Sequence, residues 1–592
     1  MPGLAGVMST ARGRGDLKEV AGSMGSAMVR SAWHKSGQES FDDSGVAVAW
    51  VHSIADGLGA VPLYDSKREV ALILVGELAS EVDSSLLNDY AEQGHRILKR
   101  LNGRFGGVLV DFRRQSASVF TDRYGLGRIY VHEKGDCLLF ASEAKSILRQ
   151  VPETREFDEQ GLAEWLACGC PLQGRTLFRG IRLLPPGAVW TMWDGEIRKD
   201  RYFDSDEWES LPRLSPEEYF GESKRIFAEV APRYFQGNGK IGLSLTGGLD
   251  SRMVAASIGG IADNVTSYCF SGPYRECEDV KVARKVAAVC GFPFQTIDIE
   301  PNFFEQFPDL AARSVFVSDG CMDVSGSVEI YANRKARSLS PVRVTGNYGS
   351  EILRCHRAFR PGLFRHPILT SKVAKQVADS QQTYENECVG RMLSFIAFKQ
   401  VPWFHCARLS LENSELSVRS PFLDNDLVRL TYQAPVDFET SPESAWRVIR
   451  AGNAALAEIP NDRGVADGGS ALFRRLRQEK MEFLAKVEYA YDYGMPDWLA
   501  RLDRLASPLH LERLILGQQK FCHFRVWYRD QLGGFVRETL LEEDSLPWDI
   551  FDRKAVKAAV EGHLSGRCNA TLEIHCLLSV ALIKRKLLVA ST

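Results

Sequence analysis

Leu243-Ser-Leu-Thr-Gly-Gly-Leu-Asp-Ser-Arg252 decides how this chain is read. The apolar run over 240–245 has the character of a buried strand, and it breaks at Thr246-Gly247-Gly248. Two glycines let the backbone turn sharply and come close to a ligand. Leu249-Asp250-Ser251 then opens a helix, so the amides of Gly248 to Ser251 converge at its positive end. That arrangement suits phosphate or pyrophosphate, with Thr246 and Ser251 adding hydroxyls. Asp250 repels a bare phosphate, so its presence points to a bridging Mg²⁺. The plain alternative is a Gly-Gly turn with a helix-capping aspartate. The stretch is not a Walker loop: GxxxxGK[ST] does not occur, and Asn238-Gly239-Lys240 precedes the strand.

Working outward, strand and helix signals alternate after about Pro212. Residues 240–245, 265–270, 294–299 and 341–346 are strand-like, with helices near Asp250 and over 278–291. Such alternation predicts a parallel sheet covered by helices on both faces. From about Ser371 the pattern is mostly helical. Before Pro212, short apolar or alternating runs at 44–54, 69–78, 106–114, 117–123, 128–134, 137–143 and 189–193 predict a β-rich unit, with one helical stretch over 84–101. The expected class is α/β. An N-terminal α+β sandwich domain covers 1–205, and a doubly wound parallel-sheet domain with a helical C-terminal part covers 206–592.

Composition narrows the function classes. Hydrophobic residues make up 45% and charged residues 25%, a globular balance that excludes a disordered chain, a collagen and a coiled coil. A net charge of -3 argues against a nucleic-acid partner. No apolar run reaches the ~18–20 residues of a membrane span. No basic segment followed by an apolar core opens the chain, so a cytoplasmic protein without a membrane partner is expected. The 13 cysteines are odd in number and form no CxxC pair, and the 11 histidines show no HExxH spacing. They read as reduced thiols and as no Cys/His metal site.

Thr246 to Ser251 resembles the pyrophosphate loop, SGGxDS, of the ATP pyrophosphatases, with Thr for the first Ser. Those enzymes cleave ATP to AMP and pyrophosphate. Residues 103–148, through Asp122-Arg-Tyr-Gly125 and Phe140-Ala-Ser-Glu143, resemble the end of the glutaminase domain of asparagine synthetases. Ile181 to Val189 matches that family's link to its second domain, and Arg419-Ser-Pro-Phe-Leu-Asp424 resembles its RxPFLD element. With four anchors in order, the chain is identified as a member of the asparagine synthetase family, which includes the β-lactam synthetases and lasso-peptide cyclases. The resemblance implies an N-terminal Ntn-type class II glutamine amidotransferase-like domain followed by an ATP-pyrophosphatase domain.

The chain departs from the family in four places. The family begins Met-Cys-Gly, and this sequence begins Met1-Pro2-Gly3, so the cysteine nucleophile is absent. The family's Asn-Gly-Glu appears as Val75-Gly76-Glu77, without the Asn. These changes imply a retained scaffold without glutaminase activity, for which Cys168 and Cys170 cannot substitute. The family's SGxGxDE loop reads Thr345-Gly-Asn-Tyr-Gly-Ser-Glu351. One alignment puts Ser350 at the metal-ligand Asp. An alignment with one inserted residue puts Glu351 there and Tyr348 at the catalytic tyrosine of β-lactam synthetase, and is preferred because it preserves an acid. Tyr348 packed on the nucleotide is the plain alternative. The family's RxKxG run reads Asn461-Asp-Arg-Gly464, where Arg463 either replaces the lysine or is the family's arginine.

The resemblance therefore implies an ATP- and Mg²⁺-dependent, AMP-forming amide ligase. It adenylates a small-molecule or peptide carboxylate and couples it to an amine without hydrolysing glutamine. Gly247, Gly248 and Ser251, with Thr246, are expected at the pyrophosphate, and Asp250 and Glu351 at Mg²⁺. Leu245, Phe270 and Gly346 are expected at the adenosine, Tyr348 at the amine proton, and Arg463 at the lysine's charge. An ammonia-using asparagine synthetase is the second reading and a nucleotide-binding regulator the third. A homodimer is compatible with all three.

Overall fold

The computed structural model describes residues 3–10, 16–29, 34–53, 62–79, 82–237, 239–259, 264–466, 471–506 and 511–589. Among the described residues, twelve strands fill the N-terminal part: Gly3–Ser9 (β1), His34–Phe41 (β2), Val46–Ser53 (β3), Leu63–Tyr64 (β4), Val70–Leu78 (β5), Gly103–Asp111 (β6), Ser116–Thr121 (β7), Tyr130–Lys134 (β8), Cys137–Ala141 (β9), Arg182–Leu183 (β10), Ala188–Trp193 (β11) and Glu196–Arg201 (β12). They form two antiparallel six-stranded sheets, ordered β10-β8-β9-β1-β3-β2 and β12-β11-β7-β6-β5-β4. The period of two explains the continuous apolar runs. In β3, Val46, Val48 and Trp50 enter the core between the sheets, and Ala47, Ala49 and Val51 face the opposite side. In β5 the same split separates Ala71, Ile73 and Val75 from Val70, Leu72 and Leu74. Strands buried on both faces lose their polar alternation.

The helical stretch expected over 84–101 is divided. Ser85–Asn88 and Tyr90–Gln93 are single turns, and Gly94–Arg100 continues as 3-10 helix. Gly94, at φ 54°, turns left-handed where the second turn ends.

The second part is built on a parallel five-stranded sheet of Ile241–Ser244 (β13), Val265–Ser271 (β14), Phe294–Asp298 (β15), Val342–Thr345 (β16) and Ser417–Arg419 (β17). Its order is β15-β14-β13-β16-β17. From β13 the chain runs outward through β14 to β15, then returns to β16 on the other side of β13. The carboxyl ends of β13 and β16 thus flank a topological switch point, where ligands of open α/β sheets bind. β17 escapes the sequence reading because three residues are too few to show a period.

The two parts are joined by buried and half-buried polar contacts. Lys145 Nζ lies 2.6 Å from Asp319 and 3.0 Å from Glu143, the acid of the Phe140–Glu143 element. Asn425 N–H donates to Asn102 Oδ1 at 3.0 Å, and the Arg419 guanidinium pairs with Glu77. The Asp122–Gly125 turn docks through Tyr124, whose ring stacks on Phe398 at 5.8 Å.

Asp122 organises that turn. Its buried carboxylate accepts backbone N–H bonds from Phe105 at 3.2 Å, Tyr124 at 2.8 Å, Leu126 at 3.2 Å and Gly127. Asp122→Ala strands these donors, so it is expected to destabilise the protein by at least about 3 kcal/mol. Urea unfolding checks this, and an unchanged midpoint would contradict it.

Candidate functional site

After β13 the chain turns through 245–248 into the helix Leu249–Ala256. The turn closes on Ser251: its Oγ accepts the Thr246 N–H at 3.1 Å and lies 3.1 Å from Thr246 Oγ1. Gly248 N–H donates to Thr246 Oγ1 at 3.3 Å. Gly247 N–H donates to Asp279 Oδ1 at 2.8 Å, and its carbonyl accepts the Asp462 N–H at 3.1 Å. Asp279 is pushed up to about 6, chiefly by burial and next by the Asp462 charge. Fully buried Arg252 donates to the carbonyls of Leu456 at 3.2 Å and Pro460 at 3.4 Å, tying the 456–462 segment to the loop. Arg463 arrives with that segment; its side chain is exposed and lies 3.6 Å from Asp462.

The turn after β16 packs directly on this loop. A Cβ on Gly346 would stand 2.4 Å from Ser251 N, and one on Gly349 would stand 2.4 Å from Asp250 Cγ. Tyr348, between them, adopts φ 71°, a left-handed conformation that costs a bulky residue energy. Its buried ring meets His405 edge-on, with centroids 5.6 Å apart. Burial first, and the Glu412 charge second, hold its phenol well above the usual range, so it is protonated at neutral pH. His405 is pushed down to about 4 by burial and is neutral.

Asp250, Tyr348, Glu351, His405, Arg408 and Glu412 line one cavity of about 220 Å³. Leu245, Phe270 and Gly346 stand at the carboxyl ends of β13, β14 and β16, with Leu245 and Phe270 buried. The Arg343 guanidinium lies 5.1 Å over the Phe270 ring. Glu412, buried, receives Arg343 at 3.2 Å.

The contacts of Asp250 and Glu351 differ from the expected metal pair. Arg354 Nη2 donates to both Asp250 oxygens, at 2.7 and 2.8 Å, and Ser350 Oγ donates to Oδ2 at 2.8 Å. Glu351 turns to His405 Nε2, 3.6 Å away. Among the described residues, no group of three or more His, Cys, Asp and Glu gathers to hold a metal. With one carboxylate engaged by a guanidinium and the other facing an imidazole, these donors do not fit a protein-held Mg²⁺.

In the N-terminal part, Glu77 lies 3.7 Å from Arg104 and pairs with Arg419 across the junction. Only about 50 Å³ remains in the cavity those residues share with Tyr124 and Tyr348. Pro2 lies outside the described residues. Cys168 is buried, its thiol pushed up to about 12 by burial, the setting of an inert packing residue.

The glutamine amidotransferase domain family matches residues 74–203, and the asparagine synthase family matches residues 226–399. The chain belongs to the asparagine synthetase family. Asparagine synthetase [glutamine-hydrolyzing] 2 of Bacillus subtilis is 24% identical over 233 residues, covering 33% of this chain and 30% of that protein. Amidase chyE of Penicillium rubens is 25% identical over 350 residues, 52% of this chain and 50% of that one. Amidase chry2 of Gibberella zeae is 27% identical over 236 residues, 38% and 32% of the two chains. The matches thus span between 30% and 50% of the length of these relatives. Among solved structures, the B. subtilis glutamine phosphoribosylpyrophosphate amidotransferase complexed with ADP and GMP aligns at 12% identity over 50% of this chain and 65% of that one, with a TM-score of 0.24.

Arg354, Asp279, Asp462, Arg252, His405 and Glu412 are missing from the sequence reading of this family member's site. Only the i, i+4 spacing of Ser350 and Arg354 carries a local signal, that of one helix face.

Because Gly346 and Gly349 meet the loop itself, Gly346→Ala and Gly349→Ala must push the two turns apart. Each is expected to weaken ATP binding by at least about tenfold, the effect of a misfit of ~1.4 kcal/mol. Gly221→Ala, in the helix Pro216–Arg233, is the control, since its added Cβ meets nothing within 4 Å. Calorimetric titration with ATP checks this, and wild-type affinity in both crowded variants would contradict it.

Proposed function

We propose that this chain is an ATP-dependent amide ligase that adenylates a carboxylate and joins it to an amine without hydrolysing glutamine. The observation that carries this reading is the single cavity joining Asp250, next to the Thr246–Ser251 loop, to Tyr348, Glu351 and Glu412. In the first step a substrate carboxylate oxygen attacks the α-phosphorus, and the bond to the β-phosphate bridging oxygen breaks. Pyrophosphate leaves into the loop. In the second step the amine nitrogen attacks the acyl carbon, the acyl–oxygen bond breaks and AMP departs. The nitrogen's proton passes by way of Tyr348 toward Glu412. A protonated phenol acts there as a relay rather than as a free base.

Loss of glutaminase function is supported by Val75 in place of the Asn, and by the engagement of Glu77 with Arg104 and Arg419. A glutamine-binding carboxylate needs its charge free for the substrate's α-amine. Mg²⁺, expected from the sequence, has no place in these steps because the donors around Asp250 do not fit it. One observation favours a second reading, in which ammonia is the amine. Ser350, not Glu351, touches Asp250, which is the alignment closer to an asparagine synthetase loop.

The test is a screen of amino acids and other carboxylic acids with α-labelled ATP. Products of AMP and pyrophosphate are expected, and ADP would contradict the proposal. With an accepted substrate, Tyr348→Phe should spare pyrophosphate exchange and slow amide formation by ~10²–10⁴-fold, the usual size of general acid–base help. Full amide formation by Tyr348→Phe would reduce the tyrosine to packing.

A further inference from the structure

Asp250 presents a charge problem. A carboxylate at the mouth of an anion-binding loop opposes the phosphate that the loop is built to hold, unless a cation neutralises it. The structure supplies that cation from the chain itself. Arg354 closes the short helix Gly349–Arg354 and reaches back with one nitrogen, Nη2, to both Asp250 oxygens at 2.7 and 2.8 Å. The same nitrogen donates to Ser350 Oγ at 2.7 Å, and that hydroxyl donates to Asp250 Oδ2 at 2.8 Å. Ser350 and Arg354, four residues apart, share one helix face, and Gly349 lets that face lie against Asp250. Both partners of the ion pair are largely sequestered, with side-chain exposures of 17% and 16%. The second guanidinium nitrogen, Nη1, is buried with no hydrogen-bond partner among the described residues, an unused pair of donors beside the loop.

Resting on the reading of Thr246–Ser251 as a pyrophosphate loop, we infer that Arg354 is a positioning residue that takes the place of a protein-held metal. It neutralises and orients Asp250 between the two turns, so the chain binds pyrophosphate with no divalent ion on its own carboxylates. The guanidinium also lies near enough to Glu351 to oppose the rise that burial and the Asp250 charge impose on that carboxyl. It is thus paired with one of the two acids that the resemblance places on a shared Mg²⁺ and lowers the other's carboxyl through space. Guanidinium is charged at every working pH and binds carboxylate and phosphate through directed N–H donors. A metal seeking Asp250 would have to share its oxygens with the Arg354 guanidinium and the Ser350 hydroxyl, setting two cations on one carboxylate.

The experiment is calorimetric titration of the full chain with inorganic pyrophosphate, in excess EDTA and in Mg²⁺. The wild-type protein is expected to bind in EDTA within about tenfold of its affinity in Mg²⁺. Arg354→Gln should bind roughly 10- to 100-fold more weakly in EDTA, the size of one charge-assisted interaction. Arg354→Lys, which keeps the charge, should recover part of that loss. Wild-type binding that requires Mg²⁺ would overturn the inference and leave the loop reading standing. Unchanged binding by a folded Arg354→Gln in EDTA would overturn it as well. Absence of binding in both buffers would overturn the loop reading itself, and the inference with it.

Discussion

Two turns from distant parts of the chain approach within van der Waals contact at Asp250 and Ser251, and the site depends on that approach. The turn after β16 tolerates no side chain at its two glycines. Gly346 faces the Ser251 amide and Gly349 faces the Asp250 carboxylate, each with 2.4 Å where a Cβ would stand. The sheet order brings the turns together, because β13 and β16 are neighbours across the switch point. From that contact follow the pairing of Arg354 with Asp250, the left-handed backbone of Tyr348 and the cavity in front of them. Strain at Tyr348 persists because the glycines on both sides fix the path of the turn.

The N-terminal sheets have a mechanical role in this arrangement. The N-terminal part contacts the second part through Lys145–Asp319, Asn102–Asn425 and Glu77–Arg419. Breaking the buried Lys145–Asp319 pair by removing one partner typically costs about 3–5 kcal/mol, since a buried charge is left uncompensated. Glu77 thus has a structural partner in Arg419, which belongs to the Arg419–Asp424 element. The residual cavity at that junction, about 50 Å³, is room for a few waters.

What the sequence made legible was local. The run Thr246–Ser251 announces its turn because its hydroxyls, glycines and helix start are contiguous. The strands at 241–244, 265–271, 294–298 and 342–345 are legible from short apolar runs between turn signals. The missed features are non-local. Asp279 and Asp462 meet at Gly247 from 32 and 215 residues away, and no window of sequence contains both. Arg252 resembles any helix arginine until its partners, the carbonyls of Leu456 and Pro460, are in place. Glu351 drew attention as an acid at a suitable spacing, yet the helix rotation sends it to His405 and gives Asp250 to Ser350 and Arg354.

The central claim is that this chain forms amides with its asparagine synthase half while its amidotransferase-like half no longer feeds it nitrogen from glutamine. Glutamate release from glutamine tests it most directly. The 592-residue chain is incubated with glutamine, with and without ATP, beside a heat-inactivated control. The account predicts glutamate at the level of the control under both conditions. Sustained release that survives removal of contaminating glutaminases would contradict it, and would require Glu77 to leave Arg419 and serve a bound glutamine.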